Sequence, residues 1–136
     1  MIKSYRELYF DILKNYDEYI KMLNTYKNSS SIMINYLIEK FGGYNYEDEC
    51  YYNIFKKSDG SYYSIDIYCN KFDSTCLIIY SSKGSNELNN ILKENNIIGF
   101  NMSEDEDTLF MKLNFPKDEN KLYYITDKLI NIFNSI

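Results

Sequence analysis

Apolar residues recur three and four apart from Tyr5 through Leu8, Tyr9, Ile12, Leu13, Tyr16 and Ile20 to Leu23. That period lays them along one stripe, so residues 2–24 are expected to form one amphipathic helix, with Ser4-Tyr5-Arg6-Glu7 as its capping box. A serine within 29–31 is placed to cap a second helix, whose inward face is Met33, Ile34, Leu37, Ile38 and Phe41. Gly42-Gly43 should end it, because glycine takes the left-handed terminal conformation at least cost. The period then drops to two. Glu49–Lys57 alternates Cys50, Tyr52 and Ile54 against Tyr51, Asn53 and Phe55. Tyr62–Cys69 alternates Tyr63, Ile65, Ile67 and Cys69 against Tyr62, Ser64, Asp66 and Tyr68. An Asp-Gly turn signal at 59–60 joins these two strands, "NKFDS" turns the chain again, and "TCLIIYSS" makes a third.

Ser85 is placed to cap a short helix with Leu88, Ile91 and Leu92 inward. Two more alternating segments follow: Ile98, Phe100 and Met102, then Leu109, Met111, Leu113 and Phe115. Between them stand Glu104, Asp105, Glu106 and Asp107. Like charges repel and need water, so this run is expected at the tip of a hairpin. Pro116 should close the second strand, where a missing N–H is tolerated. Asp118 is placed to cap a last helix carrying Leu122, Ile125, Leu129, Ile130 and Phe133. The expectation is one α+β domain over 1–136, of order ααβββαββα, with helices packed on a five-stranded, mainly antiparallel sheet.

The C-terminal half, "NNILKENNIIGFNMSEDEDTLFMKLNFPKDENKLYYITDKLINIF", reads helix, Gly-aromatic strand, acidic turn, apolar strand ending in Pro, and helix. With the preceding helix and strands, this pattern resembles the type III secretion chaperone-like fold, including its YbjN-like branch, over about residues 30–136. Residues 1–28 then stand as an added N-terminal helix, with 29–136 as the chaperone-like core. The resemblance implies a non-enzymatic protein-binding domain, often dimeric, that holds another polypeptide on helix and sheet surfaces.

Composition narrows the chemistry. The 136 residues include 16 Tyr and 8 Phe but no His or Trp. Without His the usual general base is missing, and neither a Ser-His-Asp nor a Cys-His arrangement can form. No P-loop or G-x-G-x-x-G spacing occurs. Cys50, Cys69 and Cys76 form no C-x-x-C pair and read as small core residues of a reducing cytoplasm. The acidic run lacks EF-hand spacing. No catalytic, cofactor or metal residue is therefore assigned. The net charge of −5 and the single Arg6 argue against nucleic acid and against an anionic membrane surface. No apolar run reaches the ~20 residues of a membrane span, and the N-terminus has no signal-peptide h-region. Asp66, mid-strand, reads as an acid on the exposed face of a half-buried sheet.

The tyrosine surplus points to a contact surface, since Tyr offers large area with a polar tip. Tyr51, Tyr62, Tyr68 and Phe55 fall on phases that turn away from the main core, either as that surface or as a second core layer beneath the N-terminal helices. The expected function is a cytoplasmic protein-binding factor, chaperone-like or adaptor-like, with another protein, basic or a second copy, as partner. Its contact residues are assigned to Tyr62 and Tyr68, with Glu104, Asp105, Glu106 and Asp107 at the margin. Two other readings stand beside it. One is an immunity or anti-defence protein blocking a toxin or nuclease with an acidic, aromatic surface. The other is a metal-assisted hydrolase using carboxylates.

Overall fold

The computed structural model describes residues 4–27, 29–69, 75–115 and 117–136. Three helices come first: α1 (Tyr5–Lys14), α2 (Tyr16–Lys27) and α3 (Ser29–Phe41). Strands β1 (Tyr44–Tyr46), β2 (Cys50–Lys56), β3 (Tyr62–Tyr68) and β4 (Thr75–Ser81) follow. The chain finishes with α4 (Ser85–Glu94), β5 (Asn101–Met102), β6 (Thr108–Leu113) and α5 (Glu119–Ser135). The fold is α+β. Its strands make one antiparallel sheet in the order β1-β2-β3-β4-β6-β5.

Two expectations are corrected. The sheet has six strands rather than five, because Tyr44–Tyr46 pairs with the outer edge of β2. This strand is three residues long and exposed throughout, so no alternation of burial marks it. The expected single N-terminal helix is two helices that meet at Asn15. The backbone ladder nevertheless runs across the junction, from the Asn15 N–H to Asp11 O and from the Tyr19 N–H to Asn15 O. The Asn15 side chain also donates to Asp11 O, the local competition that lets Asn interrupt a helix. The expected turn over residues 70–74 and the strand end at Pro116 lie outside the described residues.

Ser4 caps α1: its hydroxyl accepts from the Glu7 N–H at 3.2 Å, the serine half of the expected capping box. Gly42 and Gly43 both take positive φ and carry the chain from α3 into β1. Gly43 also passes so close to β2 that a Cβ there would stand 2.7 Å from the Tyr52 carbonyl oxygen.

One cluster forms the core. Strands supply Tyr51, Tyr63, Ile65, Ile67, Leu77 and Leu113, among others, all from one sheet face. Met33, Ile34 and Leu37 of α3, Leu88 of α4, and Leu129 and Phe133 of α5 close over them. The Tyr63 ring stacks on Phe133 at 4.8 Å. Its hydroxyl, sunk by that burial, donates to Glu87 Oε1 at 2.5 Å, and Ser81 Oγ donates to the other carboxylate oxygen at 3.1 Å. Burial and the Glu87 carboxylate together push the Tyr63 phenol up to about 12.

Tyr51 and Phe55 correct a third expectation, since they face this core and not away from it. Both phases of β2 are apolar, so alternation alone cannot choose between them. The register decides, by setting Tyr51 opposite Ile67. Ile98 is likewise 85% exposed and not part of an alternating strand, because β5 shrinks to two residues after Gly99 at positive φ. Among the described residues, no helix is long and apolar enough to cross a membrane.

Candidate functional site

The helices cover one face of the sheet, and the opposite face contributes nothing to the core cluster. The pairing register lays out this second face in rows. Tyr52, Asp66, Ile78 and Phe110 form the central row across β2, β3, β4 and β6. On one side, Ile54, Ser64, Tyr80 and Thr108 align; on the other, Cys50, Tyr68, Cys76 and Lys112. Most of these side chains are half-buried, and Tyr68 is 40% exposed. The face is thus a tyrosine-rich, mostly apolar sheet surface with one carboxylate at its centre.

That carboxylate is the unusual group. Asp66 Oδ1 is shielded from solvent and has no hydrogen-bond partner. Its β-strand neighbours across the sheet are Tyr52 and Ile78, which offer a ring and an alkyl chain. A carboxylate shielded in this way is costly in its ionised form. Burial accordingly pushes Asp66 up to about 6. Its charge acts on the surrounding groups in turn. The Cys50 thiol is pushed up to about 12, first by burial and then by Asp66. Burial raises Tyr52 and Tyr68, with Asp66 adding to both.

Tyr62 and the acidic run meet at one end of this face. The Tyr62 ring lies 5.5 Å from that of Tyr80, and Tyr80 pairs with Thr108, the residue after the run. The Tyr62 hydroxyl raises the Tyr80 phenol, and the Asp107 charge adds a smaller push. Glu104 to Asp107 are exposed in the β5–β6 hairpin loop. The loop is built, not slack. Ser103 Oγ donates to Asp105 Oδ1 at 2.6 Å, the Asp107 N–H reaches the same oxygen, and the Glu106 N–H donates to Ser103 O. These bonds, the Ser103 hydroxyl first, hold the Asp105 carboxyl below its ordinary value. From α4, Ser85 Oγ donates to Glu106 O at 2.9 Å and ties the loop to the body.

Tyr68 lies at the other end of the face. It stands six positions beyond Tyr62 along β3, roughly 20 Å at ~3.3 Å per residue. The assigned contact residues therefore bracket the face instead of clustering. What lies between them is Asp66 with Tyr52, Ile54, Ile78, Tyr80 and Phe110. "TCLIIY" already carried the signal for these, since Cys76, Ile78 and Tyr80 are as apolar as Leu77 and Ile79. A strand apolar on both phases asks for cover on both faces.

Chemically, the arrangement can bury apolar side chains over a wide area and accept a cation at its centre. Among the described residues, no group of three Cys, Asp or Glu side chains is placed to hold a metal ion. The chain matches no family model, no curated protein and no solved structure.

Proposed function

We propose that this chain is a protein-binding factor that takes a polypeptide segment on the open face of its sheet. The observation that carries the reading is a half-buried carboxylate, one oxygen without a partner, at the centre of a tyrosine-rich face that no core helix covers. Tyr52, Ile54, Tyr68, Ile78 and Phe110 supply apolar area of the kind that dominates contact energy. The Asp66 carboxylate, turned outward by side-chain rotation on binding, accepts a Lys or Arg side chain from the segment, which lowers the cost of ionisation. Glu104 to Asp107, exposed at the Tyr62 end, steer a basic segment toward the face without carrying much of its affinity. The order from α3 to α5, helix, strands, helix, two strands and helix, supports a chaperone-like role through its resemblance to that fold. The acidic loop beside a tyrosine pair also supports a second reading, an immunity-type factor set against the basic surface of a toxin or nuclease.

Selection from a random peptide display library tests the leading reading. The expected winners carry a Lys or Arg flanked by apolar residues. They should lose affinity by roughly ten-fold or more on Asp66→Asn and on Tyr68→Ala, mainly through faster dissociation. Winners without a basic residue, or winners indifferent to both substitutions, would overturn it.

A further inference from the structure

The N-terminal arm carries a second exposed apolar surface. None of the α1 residues is buried, and Tyr5, Tyr9, Ile12, Tyr16, Tyr19, Ile20 and Leu23 all leave large apolar area in solvent. A helix of this length owes most of its stability to packing of its apolar face, so an arm with that face open is incomplete. The geometry points to a second copy of the chain as what completes it: the arm Tyr5–Lys27 pairs antiparallel with the same arm of another protomer.

Four observations select this occupant. The first is the period. Tyr5, Tyr9, Ile12, Tyr16, Tyr19 and Leu23 follow at steps of four, three, four, three and four. That is a heptad seam, the repeat that packs helix against helix, and no charge falls on it. The second is area. The six seam residues alone expose roughly 700 Å², close to the ~800 Å² per partner of a stable interface. The third is charge. Residues 1–28 carry five basic and four acidic groups, while 29–136 carry ten and sixteen, giving net charges of +1 and −6. Parallel arms would bring two acidic bodies together at the same end. Antiparallel arms hold the bodies about 34 Å apart, several Debye lengths, and lay each Arg6 end beside the other body. Opposed helix dipoles favour the same direction. The fourth is self-complementarity. With the two-fold axis near the Asn15 junction, Tyr5 faces the partner's Leu23, Tyr9 the partner's Tyr19, and Ile12 the partner's Tyr16. Each pairing is reciprocal and every partner is apolar or aromatic, as an isologous contact requires.

Sedimentation equilibrium on the full chain, combined with cross-linking, tests the proposal. The chain of 16.3 kDa should sediment as a dimer at about 50 µM. Ile12→Asp, which touches no core residue, should weaken dimerisation by roughly a hundred-fold while leaving the circular dichroism of the body unchanged. Mixed Tyr5→Cys and Leu23→Cys variants, equilibrated and then oxidised, should give the mixed disulfide and little of either symmetric one. A monomeric wild type would overturn the proposal. So would a dimer insensitive to Ile12→Asp, or a predominance of symmetric disulfides. A dimer abolished by Ile78→Asp and not by Ile12→Asp would place the contact on the open sheet face and overturn it equally. None of these outcomes depends on whether that face binds a peptide.

Discussion

Replacing Asp66 by Asn should make the protein more stable at neutral pH. The native fold raises this carboxyl from 3.8 to about 6 by burial. At ~1.36 kcal/mol per pH unit, that rise corresponds to about 3 kcal/mol favouring the protonated form in the folded state. Asp66 is only half-buried, so solvent screens part of this, and about 1–2 kcal/mol is the expected net effect. The sign follows from the direction of the shift. A carboxyl whose folded pKa is raised stabilises the fold below the unfolded value, and that contribution is lost as pH rises through about 6. Asn stays neutral at every pH and is close in shape, so it removes only the cost of ionisation. Urea unfolding followed by circular dichroism should give Asp66→Asn an advantage of about 1–2 kcal/mol at pH 7.5, shrinking toward zero by about pH 4, with the denaturant slope unchanged. Taking the difference between the two proteins cancels the titration of every other group. Equal stability across the range, or a less stable Asn variant at pH 7.5, would refute the reasoning. It would mean that Asp66 has a partner or is better solvated than its surroundings indicate. A stabilising substitution that also abolishes binding would identify Asp66 as a group the fold carries for function.

Other predictions follow from single contacts. Leu113 is fully buried between the sheet and the helices, so Leu113→Ala should cost about 2–5 kcal/mol in the same urea assay. Gly43→Ala should cost more than about 2 kcal/mol, because φ is +103° and the new Cβ would stand 2.7 Å from the Tyr52 carbonyl oxygen. Replacing Glu104 and Glu106 by Gln should leave stability within about 0.5 kcal/mol. It should also slow association of a selected basic peptide and flatten its salt dependence, as stopped-flow measurements at several ionic strengths would read.

Much of this fold was legible as period. The three-four runs of α3, α4 and α5 and the clean alternation of β3 placed Leu37, Leu88, Leu129, Ile65 and Ile67 in the core, where they stand. Legibility failed where period carries no information. Tyr44–Tyr46 is too short and too exposed to alternate, and it forms a strand only because β2 offers an edge. On β2 both phases are apolar, so alternation leaves the face of Tyr51 and Phe55 undetermined, and only pairing with β3 turns them toward the core. The site was half legible. The acidic run was correctly read as a solvated hairpin loop, because charge repulsion is a local property. Asp66 read as an ordinary outward acid, since alternation gives its direction but not its surroundings. Its burial arises from Tyr52 and Ile78 on neighbouring strands, and only the register brings those three together.

Methyl chemical-shift mapping with a selected peptide tests the central claim most directly, because isoleucine marks both faces of the sheet. Ile54 and Ile78 lie on the open face, whereas Ile65, Ile67 and Ile79 lie under the helices. Binding should shift the δ1 methyls of Ile54 and Ile78 strongly and leave those of Ile65, Ile67 and Ile79 nearly unmoved. Large shifts confined to Ile12 and Ile20 on the arm, with Ile54 and Ile78 still, would contradict the account.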